Sequence, residues 1–221
     1  MIITLSRQLG SSGDVIAARV AAALGLLLVD REYVYRAALA AGVPDDLLQR
    51  LMYEGQRSLA AMILESLAGS SPNLAVSPGL PNPLSSVFAP LLPPAPMTPE
   101  EAVQTIGLII KEVASRGNVL ILGQGGQAWL RDFRGACHVK IVAPLEVRVA
   151  RVAEREGLSL AAARRRVRAS DLARSEYLAR YHGINWLDPL HYHLVINTGQ
   201  TSVEAAVSLI VHAAQTVAHE A

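Results

Sequence analysis

Between an apolar run, Ile2 to Leu5, and a helical stretch opening at Val15 lies the segment Ser6-Arg7-Gln8-Leu9-Gly10-Ser11-Ser12-Gly13-Asp14. A Gly/Ser-rich turn with a strand before it and a helix after it aims backbone N–H groups and the positive end of a helix dipole at one spot, which suits a phosphate. The consensus GxxxxGK[ST] is not met. With Gly10-Ser11-Ser12 laid on its last turn, Gly13 stands at the lysine position and Asp14 and Val15 at the hydroxyl positions. The phosphate charge then needs another partner, and Arg7 is the nearest candidate, since a guanidinium clamps phosphate oxygens bidentately. Asp14 admits two readings, a ligand for Mg2+ or a helix-start carboxylate favoured by the dipole. A plain tight turn also accounts for the glycines.

Other reactive side chains carry less. His191 and His193 share one face of an extended segment, but no third ligand at a usual metal spacing accompanies them. The lone Cys137 rules out an internal disulfide framework and has no evident base partner. Of the 20 basic residues only Lys111 and Lys140 are lysines, and neither is near the glycine loop; that bias reads foremost as genomic or thermal adaptation. A net charge of +1 gives no general polyanion signal, so no nucleic-acid polymer is expected as a partner and anion recognition must be local. No apolar stretch has the length and bounds of a membrane span, and Ile2 to Leu5 is not preceded by the charged lead of a signal peptide, so a cytoplasmic protein is expected.

The elements that must position these groups alternate. Strand-length apolar runs at Ile2 to Leu5, Leu26 to Val29, Val119 to Leu122, Val139 to Val142 and Leu194 to Ile196 are separated by helical patterns over Val15 to Leu24, Asp30 to Ala41 and Asp45 to Leu67. Further helices are expected from Thr98 to about Arg116, over Leu145 to Glu156, from near Ser159 to a break at Gly183, and from Ser202 onward. Thr98-Pro99-Glu100-Glu101 has the form of a capping box. Short doubly buried strands alternating with helices imply an α/β fold, a three-layer α/β/α sandwich on a five-stranded parallel sheet. The expectation is one domain over residues 1–221 with a proline-rich insert or lid at about 66–99, where nine of the twelve prolines fall.

The run IITLSRQLGSSGDVIAARVAAALGLLLVDREYV resembles the opening of the cytidylate kinase-like family, with its strand, Ser-Arg-Glu, Gly/Ser-rich loop and Asp-Arg-Glu after the second strand. Arg7 and Asp30-Arg31-Glu32 match that pattern. The likeness continues through VLILGQGGQAWL, VKIVAPLEVRVARV and DLARSEYLARYHGINWLDPLHYHLVINT, most of the chain outside the proline-rich segment. It implies a nucleoside monophosphate kinase-like P-loop fold, with ATP and Mg2+ at the Arg7, Gly10, Ser11, Ser12, Gly13 and Asp14 loop. By the same likeness Asp30, Arg31 and Arg36 contact the acceptor, as does position 124, where relatives carry an arginine and this chain has Gln124. Arg148 and Arg151 follow a strand end at the family spacing, and Asp171-Leu172-Ala173-Arg174 reproduces its Asp-x-x-Arg. Arg151, Arg168 and Arg174 are the expected stabilisers of the transferring group, with Asp171 orienting an arginine or the acceptor. Most of Arg164-Arg165-Arg166 reads as solvated surface, and Trp186-Leu187-Asp188-Pro189 as a family-like turn.

The expected function is therefore an ATP-dependent phosphotransferase, a kinase passing the γ-phosphate to CMP, dCMP or a related small acceptor. Two rivals stand beside it. One is a nucleotide-binding module that has lost transfer along with the loop lysine. The other is a dimeric interaction protein, a homodimer whose proline-rich segment docks a partner.

Overall fold

Five short strands form a sheet with an apolar core on each face, and this sheet organises the computed structural model, which describes residues 1–53 and 97–219. The strands are β1 (Ile2–Arg7), β2 (Leu27–Val29), β3 (Val119–Leu122), β4 (Ala136–Val142) and β5 (Leu194–Asn197). All pair in parallel, in the order β2-β3-β1-β4-β5. On one face Ile2, Val29, Val119 and Ile121 pack against α2 (Arg31–Ala40), α3 (Asp45–Tyr53) and α4 (Pro99–Ser115). On the other, Ile3, Leu5, Leu120, Val139 and Ile141 meet α1 (Gly13–Leu24) and the final helix α8 (Val203–His219). The result is the expected three-layer α/β/α arrangement.

Between β3 and β4 a short helix α5 (Gly126–Trp129) forms, for which the sequence reading has no element. Helix α6 (Leu145–Glu156) and the long α7 (Leu160–His182) pack on each other through Val149, Val152, Ala163 and Val167. The capping signals act as read. Thr98 and Glu101 complete their reciprocal box, and Ser159 and Ser202 accept the Ala162 and Ala205 N–H groups at the starts of α7 and α8.

Several bounds differ from the reading. Helix α1 starts at Gly13 rather than Val15, because Ser12 takes the left-handed conformation (φ 61°) and turns the chain into the helix early. Strand β4 begins at Ala136, three residues sooner, held by β1 along its length. Helix α3 is described to Tyr53, so the stretch expected to run on to Leu67 lies outside the described residues, as does the proposed insert up to residue 96.

The chain connects β1 toward the β2 side of the sheet, then crosses from β3 to β4 on the other side of β1. The strand order reverses at β1, and the crevice beyond its carboxyl end is where open α/β sheets place ligands.

Candidate functional site

The loop leaving β1 is drawn tight by its own side chains. Ser11 Oγ donates to the Gln8 carbonyl (2.8 Å), and the Ala143 N–H donates to Gln8 Oε1 (3.1 Å). Gly10 lies at φ 81° with the Arg148 carbonyl 2.6 Å from where a Cβ would stand, so only glycine fits. Gly13, at the consensus lysine position, meets a different neighbour. A Cβ there would lie 2.5 Å from Arg7 Cβ and 2.8 Å from its Cγ. The guanidinium end of Arg7 runs on past Gly123, whose own Cβ would be 2.5 Å from Arg7 Nη1. Arg7 is thus threaded between two glycines, and its stem fills the space beside the residue that replaces the lysine.

Asp14, on the first turn of α1, receives that guanidinium at 2.9 Å from both Nε and Nη2. Burial pushes its carboxyl up, but the Arg7 charge and hydrogen bond, with Arg174 and Arg155 behind them, outweigh this and hold it below the usual carboxylate range. Arg174 donates from Nη1 to the Arg7 carbonyl (2.8 Å). Its proton affinity is depressed, first by burial and then by the charges of Arg7 and Arg31, with Asp14 and Asp171 opposing. Half-buried cations that repel one another across a cleft are favourable neighbours for an anion, with Asp14 already offsetting part of the Arg7 charge.

The cleft encloses about 550 Å³ and brings together, of the residues singled out in the sequence, Arg7, Asp14, Asp30, Arg31, Gln124 and Arg174. Asp30 also caps α2, accepting the Tyr33 N–H at 2.9 Å. Gln124 holds a left-handed backbone (φ 55°) and faces the cavity. Gly10, Ser11, Ser12 and Gly13 shape the loop without lining the cavity.

The other expected residues sit elsewhere. Arg36 is exposed and pairs with Glu32 one turn earlier on α2 (2.7 Å). Arg151 donates to the Thr198 hydroxyl (3.1 Å) and carbonyl (2.9 Å) and reaches the Gly10 carbonyl (3.4 Å), bracing the loop against the end of β5. Asp171 receives the buried Arg148 on both oxygens (2.8 and 3.1 Å), tying α7 to α6. Arg168 is exposed and lies outside the lining.

Residues that the sequence reading passes over also reach the cleft, and so does Arg166, one of the three arginines it reads mostly as solvated surface. Arg166, Ser170, Ala173 and Tyr177 follow the helical spacing from Arg174 and share its face of α7. That spacing was the available signal. The Tyr177 hydroxyl is buried with no hydrogen-bond partner among the described residues. Arg155, Gln127 and Trp186 add to the polar and aromatic part of the wall, and Leu28, Leu51, Met52 and Leu122 to its apolar part.

His191 and His193 hold no metal cluster; among the described residues no group of three or more His, Cys, Asp or Glu is placed to bind one. His193 Nδ1 accepts the His138 N–H (3.0 Å) instead. Burial pushes the Cys137 thiol up to about 11, which leaves it a packed, unreactive group. No described helix is long and apolar enough to cross a membrane.

A parallel sheet whose switch point carries a Gly/Ser-rich strand-to-helix loop and converging arginines defines an α/β protein with an arginine-lined cleft beyond its central strand. Comparison with known proteins narrows the class: the cytidylate kinase-like family profile matches residues 2–200, and the chain belongs to that family. A stretch of 104 residues, 47% of this chain, is 35% identical to a cytidylate kinase from Aeropyrum pernix, of which it covers 60%. Another of 102 residues, 46% of the chain, is 38% identical to part of a uronate isomerase from Corynebacterium glutamicum, of which it covers 20%. The matched stretches span less than two thirds of either relative. The crystal structure of an uncharacterized protein from Eubacterium ventriosum superposes with a TM-score of 0.66 over 98% of this chain and 99% of that one at 17% identity, a likeness of fold.

Proposed function

We propose that the protein is an ATP-dependent phosphotransferase whose acceptor is CMP, dCMP or a related small nucleotide. The observation that carries this reading is the convergence of Arg7, Arg31 and Arg174 on one cleft, with the Arg7 stem lying where the loop lacks its lysine. Phosphoryl transfer asks the protein for little beyond positioning and positive charge around the migrating group. In this reading Arg7 and the N-terminus of α1 hold the triphosphate. Arg174 reaches in from α7 toward the transferring group, and Arg31, Asp30 and Gln124 face the acceptor.

The residues fit a triphosphate, since an anion relieves the mutual repulsion of Arg174, Arg7 and Arg31. They also fit Mg2+, which keeps several waters and takes one or two carboxylates beside phosphate oxygens. Asp14 is the carboxylate on the loop side, and the ion would there neutralise phosphate charge. Arg151, Arg148 and Asp171 keep α6, α7 and the loop in register. Gln124 gives the acceptor hydrogen bonds without charge, so less of the acceptor's phosphate is neutralised on that side.

The test is ADP release from ATP and Mg2+ in the presence of a panel of nucleoside monophosphates, with Arg174→Ala as the control. Release stimulated by CMP or dCMP and lost in the variant supports transfer. ATP binding without acceptor-dependent release supports instead a nucleotide-binding module that keeps the fold without the reaction.

A further inference from the structure

Four polar side chains stand in register on one face of two central strands: Thr4 and Ser6 of β1 beside His138 and Lys140 of β4, none more than 6% exposed. Their alternating neighbours Ile3, Leu5, Val139 and Ile141 belong to the apolar core on the opposite face. Thr4 and His138 satisfy each other at 2.8 Å. Lys140 has no such partner. Its Nζ donates to the Trp186 carbonyl (2.6 Å) and lies 3.4 Å from the Tyr192 hydroxyl, 4.0 Å from the centre of a Trp186 ring and 4.9 Å from that of Tyr192. Among the described residues no carboxylate forms an ion pair with it. A buried ammonium held by one carbonyl and two ring faces is costly to keep charged. Most of the chain's cations are arginines, yet here the compact head of a lysine sits close against Trp186.

What Lys140 holds leads directly to the cleft. The Trp186 indole N–H donates to Ser6 Oγ (2.9 Å), and Ser6 precedes Arg7, whose carbonyl receives Arg174. The Tyr192 hydroxyl donates to the same Trp186 carbonyl (3.1 Å), with Gln127 Nε2 3.4 Å from that hydroxyl. Ser6, Gln127 and Trp186 all line the cavity.

We propose that Lys140 is a positioning residue for the phosphate cleft: from the layer beneath the loop it fixes Trp186, and through it Ser6 and Arg7, and its protonation is coupled to phosphate binding above it. The proposal rests on the phosphate-binding reading of the cleft.

The charges around Lys140 agree with the geometry. Burial first and the Arg174 charge second bring its pKa down to about 7, with Asp171, also on α7, pulling the other way. Of the other groups facing it, His138 on its own strand is pushed down to about 4 and Tyr192 is raised, so neither titrates near neutrality. A phosphate that offsets Arg174 removes part of the repulsion, so binding draws a proton onto Lys140. Phosphate affinity therefore falls as pH rises through neutrality. The same shift acts on stability with a definite sign. The unfolded chain holds this proton up to the ordinary lysine range while the folded chain releases it near 7, so stability rises with pH between those values.

The experiment compares wild type with Lys140→Met, titrated with ATP by calorimetry below and above neutral pH in two buffers of different ionisation enthalpy. It also follows the Trp186 indole N–H resonance, assigned with Trp129→Phe, in the absence of nucleotide. Expected are proton uptake on ATP binding by wild type and, in Lys140→Met below neutrality, affinity weakened about tenfold, the scale of one charge-assisted hydrogen bond, here the bond to the Trp186 carbonyl that seats the loop. The variant should also show a flat pH profile, no neutral-pH titration of the Trp186 resonance, and a Tm equal to or above wild type, because an apolar chain of similar length replaces a buried charge. Unchanged affinity and an unchanged pH profile in Lys140→Met overturn the proposal. If wild type binds no ATP, the phosphate reading fails on its own. The resonance then decides the positioning role: a titration near neutrality that the variant lacks upholds it, and a resonance blind to pH and substitution overturns it. Should Lys140→Met not fold, Lys140→Gln enters the same measurements.

Discussion

Placing a methyl group on Gly13 sets two carbon atoms, the new Cβ and Arg7 Cβ, 2.5 Å apart, with Arg7 Cγ at 2.8 Å. Both Arg7 atoms belong to the base of the side chain, so relief requires the end of β1 or the start of α1 to move. Overpacking of this kind costs about 1–3 kcal/mol. Alanine in place of glycine returns at most ~1 kcal/mol of helix propensity, and less at a first-turn position. Gly13→Ala should therefore lose about 1–2 kcal/mol, which for a chain of this size lowers Tm by roughly 2–8 °C. Gly13→Lys, which restores the consensus, carries the same clash and adds a cation beside Arg7. It should be no more stable than Gly13→Ala and should bind ATP no more tightly than wild type. A double-mutant cycle with Arg7→Gly checks the cause, since the pair should be coupled by about 1 kcal/mol or more. Thermal melts and ATP titrations on wild type, Gly13→Ala, Gly13→Lys, Arg7→Gly and the double variant supply the numbers. Gly13→Lys with wild-type Tm and tighter ATP binding would refute the reasoning, because the lysine would then have found the space assigned to Arg7.

Arg7→Ala should weaken triphosphate binding by about 10–100-fold, the range for losing hydrogen bonds to a charged group, and leave adenosine binding nearly unchanged; equal losses on the two ligands contradict a phosphate role. Tyr177→Phe removes a buried hydroxyl with no partner among the described residues, so the ligand-free protein should gain up to about 1 kcal/mol in a thermal melt while the acceptor KM rises. No change in either quantity would show that the hydroxyl is neither strained in the empty cleft nor used in the filled one.

How much of this was legible in the sequence depended on the range of the interaction. The sheet, its parallel sense and the capping of α4, α7 and α8 came from local periodicity and cap residues, which the fold obeys. Arg7 could be read as a neighbour of the loop because it stands within it. Its stem's occupation of the space at Gly13 could not be read, since it follows from how closely the end of β1 approaches the start of α1. The Asp-x-x-Arg pattern on α7 placed Asp171 and Arg174 as a pair. In the fold they part company: Arg174 turns into the cleft while Asp171 is taken by Arg148, 23 residues earlier on another helix. Arg151 similarly spends its donors on Thr198 across the sheet end. Lys140 was passed over because its strand reads as a buried run, and its partner Trp186 lies 46 residues on. Long-range pairing of polar groups leaves no periodic trace.

Asp14 keeps two roles open, and its geometry gives each a distinct consequence. Five arginines and three carboxylates line the cleft, and one of those carboxylates is already spent on Arg7. A triphosphate that uses Arg7 must share it with Asp14 or displace it. If Asp14 only steadies Arg7 and the start of α1, Asp14→Asn removes a negative charge from beside the phosphates and releases the guanidinium. Mg2+-free ATP should then bind more tightly by about 1 kcal/mol, roughly fivefold, with the response to added Mg2+ unchanged. Although protein surrounds the carboxylate on its inner side, more than half of the side-chain surface stays open to solvent, so the stability cost should be small. If Asp14 instead holds Mg2+ against the phosphates, the same variant gains affinity for free ATP but loses the enhancement that Mg2+ gives wild type. Titrations with ATP in the presence of Mg2+ or of a chelator separate the two. Weaker binding of free ATP by Asp14→Asn would contradict the gain expected from either role, because it would mean that Arg7 reaches the phosphates only when Asp14 holds it there.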